Sequence, residues 1–191
     1  MKTASRRTEH RVRDRRVDLR KESSNMPLTR EEAIEKLMAH YQEPYLCARR
    51  MDPSSLLSAT AFMHLVSERK LLSLANVGIA ESDDFVYIYS PAKLDEDTLE
   101  RCCAEALEDG LKRVDPNPNH QFSLVSVFFL CDTMTPGAAA KLKKQKYHKA
   151  YKKPEYGWVD LRLAAVETGS GNHAANAMGK TLLHIYKEAV R

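Results

Sequence analysis

The run at residues 121–131, QFSLVSVFFLC, limits the fold more than any other feature of this chain. Its last eight residues are apolar except for Ser126. That is the longest such run in the chain, and it falls well short of the roughly 18 residues that span a bilayer. A strand of near-continuous apolarity is covered on both faces, as at the centre of an α/β sheet. The rest of the chain must therefore supply two covering layers.

The flanking segments read as those layers. Thr29 followed by Glu32 is a capping box, and Ala33, Ile34, Leu37, Met38 and Tyr41 form one apolar stripe. A first helix runs to about Gln42 and stops before Pro44. Asp52-Pro53 reads as an N-cap with proline at the first helical position. A second helix is expected from there to about Lys70, burying Leu56, Leu57, Ala59, Phe62, Met63 and Val66. Two apolar runs, 74–80 and 85–89, flank Glu81-Ser82-Asp83-Asp84 and predict a hairpin. Asp95 or Asp97 caps a third helix with Leu99, Cys103, Ala106, Leu107 and Leu111 at helical spacing. Thr135-Pro136 opens a fourth, residues 156–167 read as a strand, and about 172–190 as a last helix. After the hairpin the order is β-α-β-α-β-α, whose right-handed crossovers place strands in parallel. The expectation is a single α/β domain at 26–191, with a mixed sheet of about four strands packed by helices and two helices before the sheet.

The formal net charge of +4 is unevenly placed. Residues 1–25 hold nine of the 30 Lys and Arg and four of the 26 acids, which leaves 21 basic and 22 acidic residues elsewhere. The domain is thus nearly neutral, unlike the strongly basic surface of a typical nucleic-acid binder. Residues 1–25 have almost no large apolar side chains and read as a disordered basic extension. They lack the apolar core of a secretory signal, and their four acids argue against a mitochondrial presequence. They read either as a basic arm for nucleic acid or as an upstream extension ahead of Met26. Cys47, Cys102, Cys103 and Cys131 show no C-x-x-C spacing, and Cys47 and Cys131 fall among apolar residues. They read as structural thiols of a reduced, cytoplasmic protein with the look of a small bacterial domain.

Four places carry candidate chemistry. Residues 141–153, KLKKQKYHKAYKK, hold seven lysines and no acid. As a helix, the segment puts Tyr147 and Tyr151 on one face; Lys143, Lys144, Lys146 and Lys149 then offer charge for a nucleic acid or another phosphoanion, with tyrosines to stack. The competing reading is a solvated helix whose lysine stems lie over the sheet. Trp158, Asp160 and Arg162 alternate along one strand and so share a face, either as a ligand-facing set or as a structural ion pair. Parallel strands would gather Asp132, Glu167 and Asn172 at the carboxyl end of the sheet, where open α/β sheets bind ligands. Paired carboxylates there could bind a metal or do acid/base work. Finally, residues 174–181, AANAMGKT, imitate a phosphate-binding loop. The intervening residues are helix formers, and only ten residues follow Thr181, so an amphipathic helix and no nucleotide is expected.

Histidines 40, 64, 120, 148, 173 and 184 show no metal-ligand spacing, and no cofactor signature occurs. His120 and Cys131 offer no more than a chance Cys–His pair. The reading that follows is a non-enzymatic interaction or regulatory module, with a second copy or another protein as partner and no membrane. One alternative is a nucleic-acid or phosphoanion binder using 141–153. Another is a metal-dependent phosphodiester hydrolase using Asp132, Asp160 and Glu167, although the D/E-x-K strand common in nucleases is missing.

Overall fold

The computed structural model describes residues 27–71, 75–152 and 155–191. The basic stretch 1–25 lies outside them. Glu32 and Thr29 close the capping box, with Thr29 N donating to Glu32 Oε2 at 2.8 Å and Glu32 N to Thr29 Oγ1 at 3.2 Å. They start α1 (Arg30–His40). The chain then forms β1 (Leu46–Arg49), β2 (Leu57–Leu71), β3 (Ala75–Tyr89), β4 (Lys93–Leu94) and α2 (Glu96–Arg113). It continues with β5 (His120–Cys131), β6 (Thr133–Met134), α3 (Pro136–Lys144), β7 (His148–Ala150), β8 (Trp158–Glu167), β9 (His173–Ala175) and α4 (Lys180–Ala189).

Among the described residues this is a single mixed α/β unit with four helices and a sheet of seven strands. The order is β1-β2-β3-β5-β8-β7, with β9 pairing a further stretch of β8, and β4 and β6 form a small parallel pair apart. β3, β5 and β8 run parallel at the centre; β1, β2, β7 and β9 join antiparallel. Side chains alternate across the sheet, so two cores form. Tyr87, Val127, Phe129 and Leu163 pack under α2 and α3. Val86, Ile88, Phe128 and Ala164 pack under α1 and α4. Helix α2 sits close on β5 because Gly110 faces it, and a Cβ there would meet Val125 Cγ2 at 2.6 Å.

Several expectations are corrected. The sheet has seven strands, not four, and one helix precedes it, not two. The expected second helix is strand β2. Asp52 does not cap a helix: its side chain accepts from Ser54 N at 2.9 Å and makes a turn. β2 is apolar on both faces because both are partly covered, and such a run satisfies helical spacing by accident. The expected hairpin turn at Glu81–Asp84 is the middle of β3, a continuous strand. Its polar residues are tolerated there because each buried carboxylate is hydrogen-bonded. The lysine run is not one helix, since α3 ends at Lys144 and a short strand follows. The last helix begins at Lys180, eight residues later than expected. Cys47 is exposed, while Cys102, Cys103 and Cys131 are buried, and all four are free thiols.

Candidate functional site

The carboxyl ends of β3, β5 and β8 do meet at one edge, around a depression of about 520 Å³ lined by Thr29, Arg30, Ser90, Asp132 and Thr168. The acids at this edge of the sheet are engaged separately. Asp132 accepts from Arg30 Nε at 2.9 Å. Glu167 accepts from Met134 N at 2.7 Å, Ser170 Oγ at 2.6 Å and Asn172 Nδ2 at 2.8 Å. Those bonds hold its carboxyl below the usual range, Ser170 contributing most and then Asn172. Glu167 and Asn172 thus brace the turn into β9, and Asp132 ties α1 to the sheet. Asp160 lies seven residues down β8 from Glu167, about 23 Å away at strand spacing. The acids proposed for a hydrolase are therefore not gathered. Among the described residues no group of three or more His, Cys, Asp or Glu is placed to hold a metal ion.

The lysine segment divides in the same way. Lys143, Lys144, Lys146 and Lys149 are exposed, but Tyr147 and Tyr151 turn inward against the core under α2 and α3. Both rings are partly buried, and Lys149 Nζ lies over the Tyr151 ring, 4.8 Å from its centroid. The imitation phosphate loop spans β9 and the turn before α4. Asn176 Oδ1 accepts from Gly179 N at 2.7 Å and Leu163 N at 3.0 Å. Gly179 rests on the backbone of Leu163, where a Cβ would clash.

The remaining candidate face is the one carrying Trp158, Asp160 and Arg162. The residues of α1 and α4 pack onto β2, β3, β5 and β8 no further down than Ala61, Val86, Phe128 and Ala164. Below that line the sheet carries two rows on the same face. One row is Leu65, Ser82, Phe122 and Trp158; the next is Met63, Asp84, Leu124 and Asp160. Met63, Phe122, Leu124 and Trp158 belong to neither core and are half-buried, and Leu65 is 43% exposed. The Phe122 and Trp158 rings lie side by side, 6.1 Å between centroids and tilted by 32°.

Charge on this face is internally closed. Arg162 NH2 donates to Asp84 Oδ2 at 2.6 Å, and its Nε to Ser126 Oγ at 2.9 Å. Ser126 Oγ donates to Asp84 Oδ1 at 2.6 Å and Tyr45 Oη to Oδ2 at 3.0 Å. Burial, and then the Asp84 charge, push the Tyr45 phenol well above its ordinary value. With three donors on its two oxygens, Asp84 fixes structure here. Asp160 does not pair with Arg162: it meets His148 Nδ1 at 2.7 Å. On the opposite face the neighbouring Asp83 is used likewise. It accepts from Ser123 Oγ at 2.9 Å and lies 2.8 Å from His64 Nδ1, and His120 Nε2 lies 2.8 Å from Ser123 Oγ. His120 and Cys131 stand at opposite ends of β5.

Sequence reasoning placed Trp158, Asp160 and Arg162 on one face but missed Leu65, Met63, Asp84, Phe122 and Ser126. The available signal was the alternation of residues 122, 124 and 126 in phase with 158, 160 and 162. Reading 81–84 as a turn hid Asp84.

No helix among the described residues is long and apolar enough to cross a membrane. No match was found among curated proteins or among solved structures. A family model described as "Domain of unknown function (DUF8052)" matches residues 29–188, and the chain belongs to that family.

Proposed function

We propose that this chain is a non-enzymatic assembly module, and that the half of its sheet that α1 and α4 leave open seats the same face of a second copy. One observation carries this reading: Leu65, Met63, Phe122, Leu124 and Trp158 lie in two adjoining rows that no core absorbs. An apolar patch on a rigid sheet, with its charges already paired, is suited to contact with another protein. The row is self-complementary. A two-fold axis parallel to the strands sets Leu65 of one copy against Trp158 of the other, with Phe122 near the axis. Sheets packed face to face in this way cross at about −30°. The engaged carboxylates of Asp84, Asp132 and Glu167 give no support to hydrolytic chemistry. Partial burial of Tyr147 and Tyr151 against the core weighs against the stacking part of the nucleic-acid reading. Free thiols at four positions support a reducing compartment such as the cytoplasm.

The expected affinity is modest. Full burial of a large apolar side chain gains about 1.5–3 kcal/mol, and these five are already partly covered. Association costs roughly 4–15 kcal/mol, so the dimer forms reversibly, in the micromolar range or weaker. Trp158 is the single tryptophan, which gives a direct readout. Sedimentation equilibrium of the full chain should show a monomer–dimer equilibrium, with tryptophan emission shifting to the blue as dimer forms. Leu65→Lys and Trp158→Ala should remain folded and monomeric. A chain that stays monomeric at the highest soluble concentration, with unshifted emission, overturns the reading.

A further inference from the structure

The opposite face of the sheet holds a separate cleft of about 420 Å³, between α2 and the segment joining β1 to β2. Its size falls in the range of about 300–1,000 Å³ typical of small-molecule sites. Tyr87 and Tyr89 form its floor, Glu105 and Asp109 one wall, and Arg50 stands on the other side. Most polar groups here are spoken for. Asp109 accepts from Tyr87 Oη at 2.6 Å and from Arg113 Nε at 2.8 Å, and Glu108 pairs with Lys112 at 2.7 Å.

Three groups are left over. Tyr89 has no exposed surface, and its hydroxyl has no hydrogen-bond partner. Buried hydroxyls are almost always bonded, so an orphan of this kind calls for an explanation. The charge of the exposed Glu105 acts on that hydroxyl more than any other, and its carboxylate makes no ion pair or hydrogen bond among the described residues. Arg50 likewise has no carboxylate partner there, so the two opposite charges line one cleft without meeting.

We infer that this cleft binds a small zwitterion, a free α-amino acid. Glu105 and the Tyr89 oxygen receive its ammonium group, and Arg50 receives its carboxylate. The charges select this class over its neighbours. A diamine would set its second ammonium against Arg50, and a simple anion would face Glu105 and Asp109. Being on the other face, the cleft is independent of the assembly surface.

The test uses the full chain and each proteinogenic L-α-amino acid singly at millimolar concentration, read by thermal shift and then calorimetry. At least one should raise the melting temperature in proportion to log concentration, as a ligand of the folded state does. Its N-acetyl and methyl-ester forms, and the variants Glu105→Gln and Arg50→Gln, should each bind about tenfold more weakly or worse. Tyr89→Phe should weaken binding by a similar factor while leaving the ligand-free melting temperature unchanged or higher, since no partner is lost. The inference is overturned if no amino acid shifts the transition, or if the blocked forms bind equally well. A clear fall in the ligand-free melting temperature of Tyr89→Phe would also overturn it, by showing that the hydroxyl is satisfied within the chain.

Discussion

Asp84 Oδ2 and Arg162 NH2 lie 2.6 Å apart although β5 runs between their strands. The guanidinium reaches over Ser126, which bonds to both partners, and the two side chains are only 6% and 11% exposed. The pair therefore straps the central three strands together on the face that α1 and α4 leave open.

Arg162→Met strands the Asp84 carboxylate under Tyr45 without its cation. Breaking one side of a buried pair costs about 3–5 kcal/mol, whereas replacing both sides with apolar residues is much less harmful. Urea unfolding should show that loss for the single variant, and Asp84→Leu/Arg162→Met should recover most of it. A single-variant loss under about 1 kcal/mol would mean that the strap contributes little.

Burial raises the Cys102 thiol to about 11 and those of Cys103 and Cys131 to about 12. At pH 8 in the folded protein, Ellman's reagent should modify Cys47 first and reach the other three only on unfolding. The sign of the linkage follows from raised values. Protonated thiols are favoured in the folded state, so their contribution is intact below the unfolded value near 9 and is lost as pH rises towards 11–12. Buried Tyr41 and Tyr89, also raised by burial, push in the same direction. Stability that held flat from pH 9 to 11 would contradict this.

Replacing Lys143, Lys144, Lys146 and Lys149 with glutamine should move stability by no more than about 0.5 kcal/mol in total, because exposed side chains away from special features count for little. Tyr147→Ala and Tyr151→Ala, which empty space against the core, should each cost about 1–3 kcal/mol. The opposite ranking in chemical denaturation would show that the tyrosines face solvent after all.

Gly179→Ala should lower stability by about 1–3 kcal/mol through forced repacking against Leu163, while Lys180→Ala, at an exposed position, should leave the thermal transition in place. A loop built to grip phosphate would show the reverse dependence in nucleotide binding, with Lys180 decisive.

Much of the scaffold could be read from local signals. The capping groups Thr29, Asp95 and Thr135 each accept from the backbone N–H expected of them, and β5 and β8 carry apolar runs long enough to be unambiguous. β2 was illegible because a strand packed on two faces shows no clean alternation, and Asp52-Pro53 imitated a helix start. β1, β7 and β9 are three or four residues long with mostly exposed side chains, so no periodicity can develop. The open face depends on which row of a strand lies opposite which, and that is fixed only by pairing between segments some 40 residues apart. No local pattern contains it.

The adjacent acids of β3 also act on which structures the chain avoids. Asp83 and Asp84 point to opposite faces, and each is met by its own partners: His64 and Ser123 on one side, Tyr45, Ser126 and Arg162 on the other. If β3 slid by one residue against β5, every side chain would change face. Both carboxylates would then be thrust among groups that cannot receive them, each at a cost of several kcal/mol. A slide by two residues keeps the faces but carries Asp84 about 7 Å from Arg162. A long strand in the middle of a sheet, otherwise free to settle in several nearly equivalent alignments, is thereby keyed to one of them from both sides at once.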